Sequence, residues 1–252
     1  MKERTSAATR RSPLLSRIRR ALVAAADPSR APAMKAYMKS DMPYLGAAAP
    51  QVRAVCRELF ADYPFTDARS WRADVLEVWR GAKYREERYA AIALTGQRQA
   101  RPFQTLDALA MYEEMIVSGA WWDYVDELAS HRVGPLLAAH PREMGRTLRD
   151  WSRGHDSWKR RTAIISQLSF KEATDLPLLF ACIEPSLASK EFFLQKAIGW
   201  SLRQVARHDP KAVLRYVNEH TSELSALSKR EALKHLVPAV PAVKVSGRPR
   251  KA

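Results

Sequence analysis

The sequence predicts an all-α protein, and three observations carry that prediction. Apolar residues recur at i, i+3 and i+4 through almost the whole chain, whereas strand-like alternation is nearly absent. Helix-start signals built on Pro, Ser or Asp punctuate the chain at short intervals. Only 9 of the 252 residues are Gly. Amphipathic helices pair up about every 40 residues, a pattern that suggests a HEAT-like stacked array.

Residues 1–11 carry Lys2, Arg4, Arg10 and Arg11 against one acid, Glu3, and read as a disordered basic arm. Ser12-Pro13 is a helix start, after which Leu14, Leu15, Ile18 and Leu22 repeat at helical spacing. Pro32 opens a short helix with Met34, Tyr37 and Met38, and Pro50 opens another with Val52, Val55, Leu59 and Phe60. Trp71, Val75, Leu76 and Trp79 give a fourth. Segments 84–99, 106–117, 121–132, 142–151, 158–168 and 175–183 continue the series, and 190–207 is the longest and clearest. Asp209-Pro210 caps and starts one more, and Ser228 caps a last one with Leu233 and Leu236. The helical pattern thus defines one domain, 12–236. Residues 237–252 read as a disordered basic tail, ending Ser246-Gly247-Arg248-Pro249-Arg250-Lys251. A Gly-Arg-Pro core between basic residues resembles an AT-hook; a solvated basic tail is the other reading.

Composition narrows the function classes. Hydrophobic residues make up 46% and charged residues 27%, ordinary for a globular protein. Lys and Arg total 42 against 27 acids, a net charge of +15, which favours an anionic partner, nucleic acid or an anionic membrane surface. No apolar run reaches the ~20 residues of a membrane span, and of the two partners nucleic acid is expected and a membrane is not. Cys56 and Cys182 lie far apart in apolar helical patterns and read as small buried hydrophobes in a reducing, cytoplasmic setting. No zinc-type spacing of Cys and His exists, and neither metal nor cofactor is expected. Arg17, Arg19 and Arg20 interrupt any signal-peptide core, although the Arg- and Ser-rich start also imitates a transit peptide.

Three stretches concentrate chemistry. In Trp121-Trp122-Asp123-Tyr124-Val125-Asp126, Trp122 and Asp126 are i and i+4 and share a helix face. Trp121, Val125 and Leu128 fall on a neighbouring face that looks like core. Asp123 and Glu127 are also i and i+4 and read as a solvated face. The alternative for Trp122 and Asp126 is a core indole and an internal salt bridge. In Trp158-Lys159-Arg160-Arg161, Arg161 sits at the edge of an apolar face, where it either forms an interhelical ion pair or grips a carboxylate or phosphate bidentately. Arg160 reads as a surface charge. In the third stretch, Lys190 to Trp200, Gly199 costs its helix about 1 kcal/mol relative to Ala. Beside Trp200 it signals close packing or close approach of a ligand, and Trp200 is either a core or a cleft aromatic.

Together these stretches carry a resemblance. Ser118-Gly119-Ala120-Trp121-Trp122-Asp123-Tyr124-Val125-Asp126, Trp158-Lys159-Arg160-Arg161-Thr162-Ala163-Ile164, and Ser189 to Arg203 with its Lys190-Glu191-Phe192-Phe193 start resemble the DNA alkylation repair family, whose members include AlkD-like alkylpurine DNA glycosylases. Shorter matches are Met34 to Lys39, Tyr44-Leu45-Gly46 and Leu227 to Ala232, so the resemblance runs in order from about residue 14 to 236. It implies a HEAT-like solenoid with a concave DNA-binding cleft. It also implies hydrolysis of the N-glycosidic bond of N3- or N7-alkylated purines in duplex DNA by a monomer without cofactor, the lesion staying in the duplex. Position by position, Asp126 matches the catalytic carboxylate, Trp122 and Trp200 the two cleft indoles, and Arg161 the cleft arginine. Tyr37 matches a DNA-facing residue, and Lys190, Lys229 and Arg230 join it as DNA-binding candidates. Ala48 departs from the family, which has a Gln near the DNA there.

The residue types suit that reaction. A purine alkylated at N7 or N3 is cationic and leaves as a neutral base, so no general acid is needed. Positive charge develops on the deoxyribose, where an ionised Asp126 would stabilise it and orient water. The competing readings are a non-catalytic HEAT-like protein that binds damaged or branched DNA, and a helical scaffold for acidic proteins. The presence of both Asp126 and Arg161 favours catalysis.

Overall fold

The computed structural model describes residues 14–236. Among them are fourteen α-helices and no strand. In chain order these are α1 (Leu14–Ala25), α2 (Ala31–Met38), α3 (Ala49–Phe60), α4 (Ala68–Gly81), α5 (Arg85–Thr95), α6 (Leu109–Gly119) and α7 (Trp122–Leu128). They continue as α8 (Gly134–Ala139), α9 (Pro141–Arg153), α10 (Ser157–Ile165), α11 (Leu176–Ile183), α12 (Phe192–Val205), α13 (Pro210–Glu219) and α14 (Ala226–Ala232). No described helix is long and apolar enough to cross a membrane. The basic arm and the AT-hook-like tail lie outside the described residues, as does the Ser12-Pro13 helix start.

Side-chain caps set the helix starts. Asp67, Asp156, Asp175 and Asp209 each accept a hydrogen bond from a backbone N–H of the first turn that would otherwise lack a partner. The last helix departs from expectation. Ser225, not Ser228, is its cap, and Ser228 supplies the N–H that Ser225 accepts. The expected helix over 121–132 is also subdivided: α7 ends at Leu128, and a π-helical turn over Ala129–Val133 links it to α8.

The packing order makes the array. Helices α3, α5, α7, α10, α12 and α14 each pack on the next, forming one continuous layer. Helices such as α4, α6, α9, α11 and α13 back them from the other side. The layer helices begin at residues 49, 85, 122, 157, 192 and 226, so the unit is about 35 residues rather than 40. This is an all-α, HEAT-like stacked arrangement, in which each unit buries its apolar face on its neighbours. The core follows the array in two clusters. One runs from Leu14 to Cys182 around Phe60, Trp71, Trp79 and Tyr112, and the other centres on Ile164, Ile183, Ile198 and Val213. Cys56 and Cys182 are buried free thiols, and burial pushes each up to about 12.

The Leu45-Gly46 motif has a structural explanation. Glu86 is fully buried, and its carboxylate accepts from the backbone N–H groups of Leu45, Gly46 and Ala47 at 2.9–3.1 Å. Gly46 has φ +98°, and a Cβ there would lie 2.0 Å from the Asp27 carbonyl oxygen. Only glycine fits both constraints. The clamp fixes the chain between α2 and α3 to the start of α5.

Candidate active site

Helix α6 ends in Ala120 at φ 43°, a left-handed residue that turns the chain at once into α7. Trp121 follows in extended backbone and Trp122 opens the helix. Trp122 and Asp126 therefore share a face one turn apart, whereas Val125 and Leu128 point fully into the core. Trp121 is only partly buried. It packs edge-on against Phe193 and tilted against Trp158, with centroids 5.6 and 6.3 Å apart.

Asp126 and Arg161 meet. The Arg161 fork donates from Nε to Oδ1 and from Nη2 to Oδ2, both at 2.7 Å, and Nη1 donates to the Phe193 carbonyl oxygen. The guanidinium is buried, while the Asp126 side chain keeps 16% of its surface. Burial pushes the Asp126 carboxyl above the usual aspartate range, and the two Arg161 hydrogen bonds pull against that push. Charge-assisted bonds in this fork geometry fix the position of both oxygens. The ion-pair reading of Arg161 is thus what the structure contains, with the candidate carboxylate as its partner. Each of the three guanidinium nitrogens donates to a protein acceptor.

The pair joins equivalent positions of successive units, 35 residues apart. Lys196 and Glu231, the corresponding residues of α12 and α14, form the next such pair at 3.0 Å.

The seven tryptophans separate cleanly. Trp71, Trp79 and Trp151 are buried in the core, and Trp121 and Trp158 pack against it. Trp122 and Trp200 are half-buried and belong to neither core cluster, which removes the core alternative for both. Trp200 lies on α12 two turns beyond Phe193, on the same face as the residue whose carbonyl Arg161 binds. Gly199 beside it serves packing rather than a ligand: a Cβ there would lie 2.5 Å from Glu231 Cβ and 2.9 Å from the Ser228 carbonyl oxygen of α14.

Two expectations fail here. Asp123 does not lie on a solvated face. Arg85 Nη2 donates to its two oxygens at 2.6 and 2.8 Å, and Tyr89 Oη donates to Oδ2 at 2.6 Å. Burial opposes the charge on Arg85, but pairing with Asp123 outweighs it and raises its pKa. Tyr124 stacks under the same guanidinium at 4.3 Å. Sequence reading missed this network because its partners lie one unit upstream; the signal was an Arg and two acids crowded into the first turn of α5. Glu127 alone keeps the expected exposure, with His131 at 3.6 Å and Arg132 at 3.9 Å. Arg160 is likewise not a free surface charge. It donates to the Pro185 carbonyl oxygen at 2.7 Å and to Ser186 Oγ, tying α10 to the turn after α11.

Of the DNA-binding candidates, Tyr37 is 79% exposed, and Lys190 and Arg230 are exposed. Lys229 is half-buried and donates to the Thr221 carbonyl oxygen at 3.0 Å. Among the described residues no group of three or more His, Cys, Asp or Glu is placed to hold a metal ion.

The fold and site define a helical-repeat protein that presents an arginine-held carboxylate on one layer of its array. A family described as "DNA alkylation repair enzyme" matches residues 18–236, and the chain belongs to that family. A solved structure described as a predicted DNA alkylation repair enzyme from Enterococcus faecalis is 31% identical. That likeness covers 85% of this chain and 98% of the other, with a TM-score of 0.72. No curated protein matches the chain.

Proposed function

We propose that the protein is a DNA glycosylase that hydrolyses the N-glycosidic bond of N3- or N7-alkylated purines in duplex DNA. The observation that carries this reading is the Asp126 carboxylate, gripped by Arg161 on the face of α7 that also bears an indole left out of the core. A carboxylate held before reaction needs no reorganisation when positive charge develops on the sugar, which is the condition for electrostatic catalysis. The alkylated base leaves neutral, so the site needs no acid to protonate it. Asp126 stabilises the oxocarbenium-like sugar and orients the attacking water. Trp122 and Trp200 offer aromatic faces to the cationic nucleotide, each worth roughly 0.5–2 kcal/mol. Arg161 acts through Asp126. Tyr37, Lys190 and Arg230 contact the duplex, with Lys229 in a supporting place, and the protein acts as a monomer.

The test is release of free 7-methylguanine or 3-methyladenine from methylated duplex DNA by the purified protein. Wild type releases base without added metal. Asp126→Asn retains duplex binding and loses on the order of 10²-fold or more in single-turnover excision, the scale for removing one preorganised electrostatic group. An Asp126→Asn protein as active as wild type overturns the assignment. Duplex binding with no base release from any alkylated substrate favours the non-catalytic alternative.

A further inference from the structure

The backing layer carries a feature that the alkylated-DNA reading leaves unused. On α9, Arg142, Arg146, Arg149 and Arg153 follow one another at steps of four, three and four residues, which places them within about 60° of arc along about 16 Å of helix. None of the four forms an ion pair among the described residues, whereas the exposed Arg80 does, with Glu114. Arg142, Arg146 and Arg153 are exposed.

Beside this stripe lies a cavity of about 420 Å³. Leu137, Ala138, Phe170, Ala173 and Leu178 give it apolar walls, and Pro141 at the start of α9 closes one side. Its two polar lining residues are already engaged. Asp175 accepts from the Leu178 N–H at 3.0 Å, and the Gln167 side chain bonds both backbone groups of Asp175. The stripe and the cavity adjoin through Gly145, where a Cβ would stand 3.4 Å from Arg149 Nη1 and 4.0 Å from Leu178 Cδ2.

We infer that this surface docks an acidic peptide segment of a partner protein, with one large apolar side chain seated in the cavity and carboxylates along the arginines. The stripe is as long as about five residues of extended chain. Each guanidinium offers a planar fork to a carboxylate. A phosphodiester backbone would use the arginines but has nothing to place between apolar walls. The chain's own tail over 237–252 has four basic residues and no acid, and a second copy shares the net charge of +15, so neither complements the stripe. The inference is independent of the glycosylase reading, since α9 lies outside the layer that carries Asp126.

The test is fluorescence anisotropy of a labelled peptide of four aspartates followed by Leu-Phe, titrated with the full chain at low salt. Wild type binds, and binding weakens as salt rises. R142Q/R146Q reduces affinity about tenfold or more through charge. Ala138→Trp, which fills the cavity from its exposed rim, reduces it similarly without altering charge. Excision from alkylated duplex stays unchanged in both, so failure here is separable from failure of the enzymatic reading. Absence of peptide binding by wild type overturns the inference. So does equal binding of a peptide ending in Gly-Ser, or insensitivity to Ala138→Trp. A stripe-dependent affinity for undamaged duplex in place of the peptide overturns it too, and assigns the arginines to DNA.

Discussion

At the residue scale, Asp126 and Arg161 act as one unit, and substitutions at position 161 separate the possible roles of the arginine. If Arg161 holds the carboxylate ionised and oriented, Arg161→Ala removes the two hydrogen bonds that counter burial, and the Asp126 pKa rises further. The proposed mechanism needs the ionised form, so the acid limb of single-turnover excision should move to higher pH and the plateau should fall. Arg161→Lys keeps the charge but loses the fork, and falls between wild type and Ala on both counts. A phosphate grip would instead change duplex affinity and leave the limb in place, so a pH profile beside a binding isotherm decides the matter. Spacing placed Trp122 and Asp126 on one face of α7 and left an ion pair open for Arg161, and the structure holds that pair with Asp126; the roles given to the three residues came from the resemblance and not from spacing. Trp121 packs against the core as expected, though only in part, whereas Asp123 was misplaced. Trp121 stands in extended backbone, where a helical wheel does not apply. The environment of Asp123 is set by Arg85 and Tyr89, residues 38 and 34 positions away, which local periodicity does not register.

At the scale of elements, α12 packs closely on α14, and Gly199 permits that approach. Gly199→Ala gains helix propensity of about 1 kcal/mol but must displace the Ser228 backbone and Glu231 Cβ. Overpacking costs typically about 1–3 kcal/mol, so a net loss of stability is expected, read as a lower midpoint in thermal or urea unfolding. A stabilised Gly199→Ala protein would mean that the two helices stand further apart. Helix identity and order were readable throughout, because amphipathic periodicity is a local property that each segment carries alone. Helix ends were less so. Ser225 and Ser228 are both good caps, and the choice between them depends on how far α14 runs along α12. The π turn over Ala129–Val133 left no sign in composition, since residues of the same types continue across it.

At the scale of the whole molecule, a charge of +15 on a stacked helical array means that the proposed affinity for duplex DNA should depend on salt. Deleting 1–11 and 240–252 removes basic residues without touching the described helices. Affinity for all duplex DNA should weaken, and the slope of log affinity against log salt should become shallower by about 0.9 for each phosphate no longer neutralised. The excision rate at saturating protein should stay nearly constant. A large fall in that saturated rate would place a tail within the active site. The unit length was overestimated from sequence, about 40 residues against about 35.

The 35-residue step between Asp126 and Arg161 has a consequence for how such a site arises. The same slot of the layer holds Asp126 in α7, Arg161 in α10, Lys196 in α12 and Glu231 in α14. Stacking brings each slot within reach of the next, so a charge acquired in one unit meets its counterpart wherever the following unit supplies the opposite sign. The candidate carboxylate Asp126 is therefore one filling of a position that recurs by construction, and its support comes from the adjoining unit. Adding or removing whole units elsewhere in such an array would leave the Asp126–Arg161 pair intact, whereas exchange of a single unit across the α7–α10 boundary would part the acid from its holder.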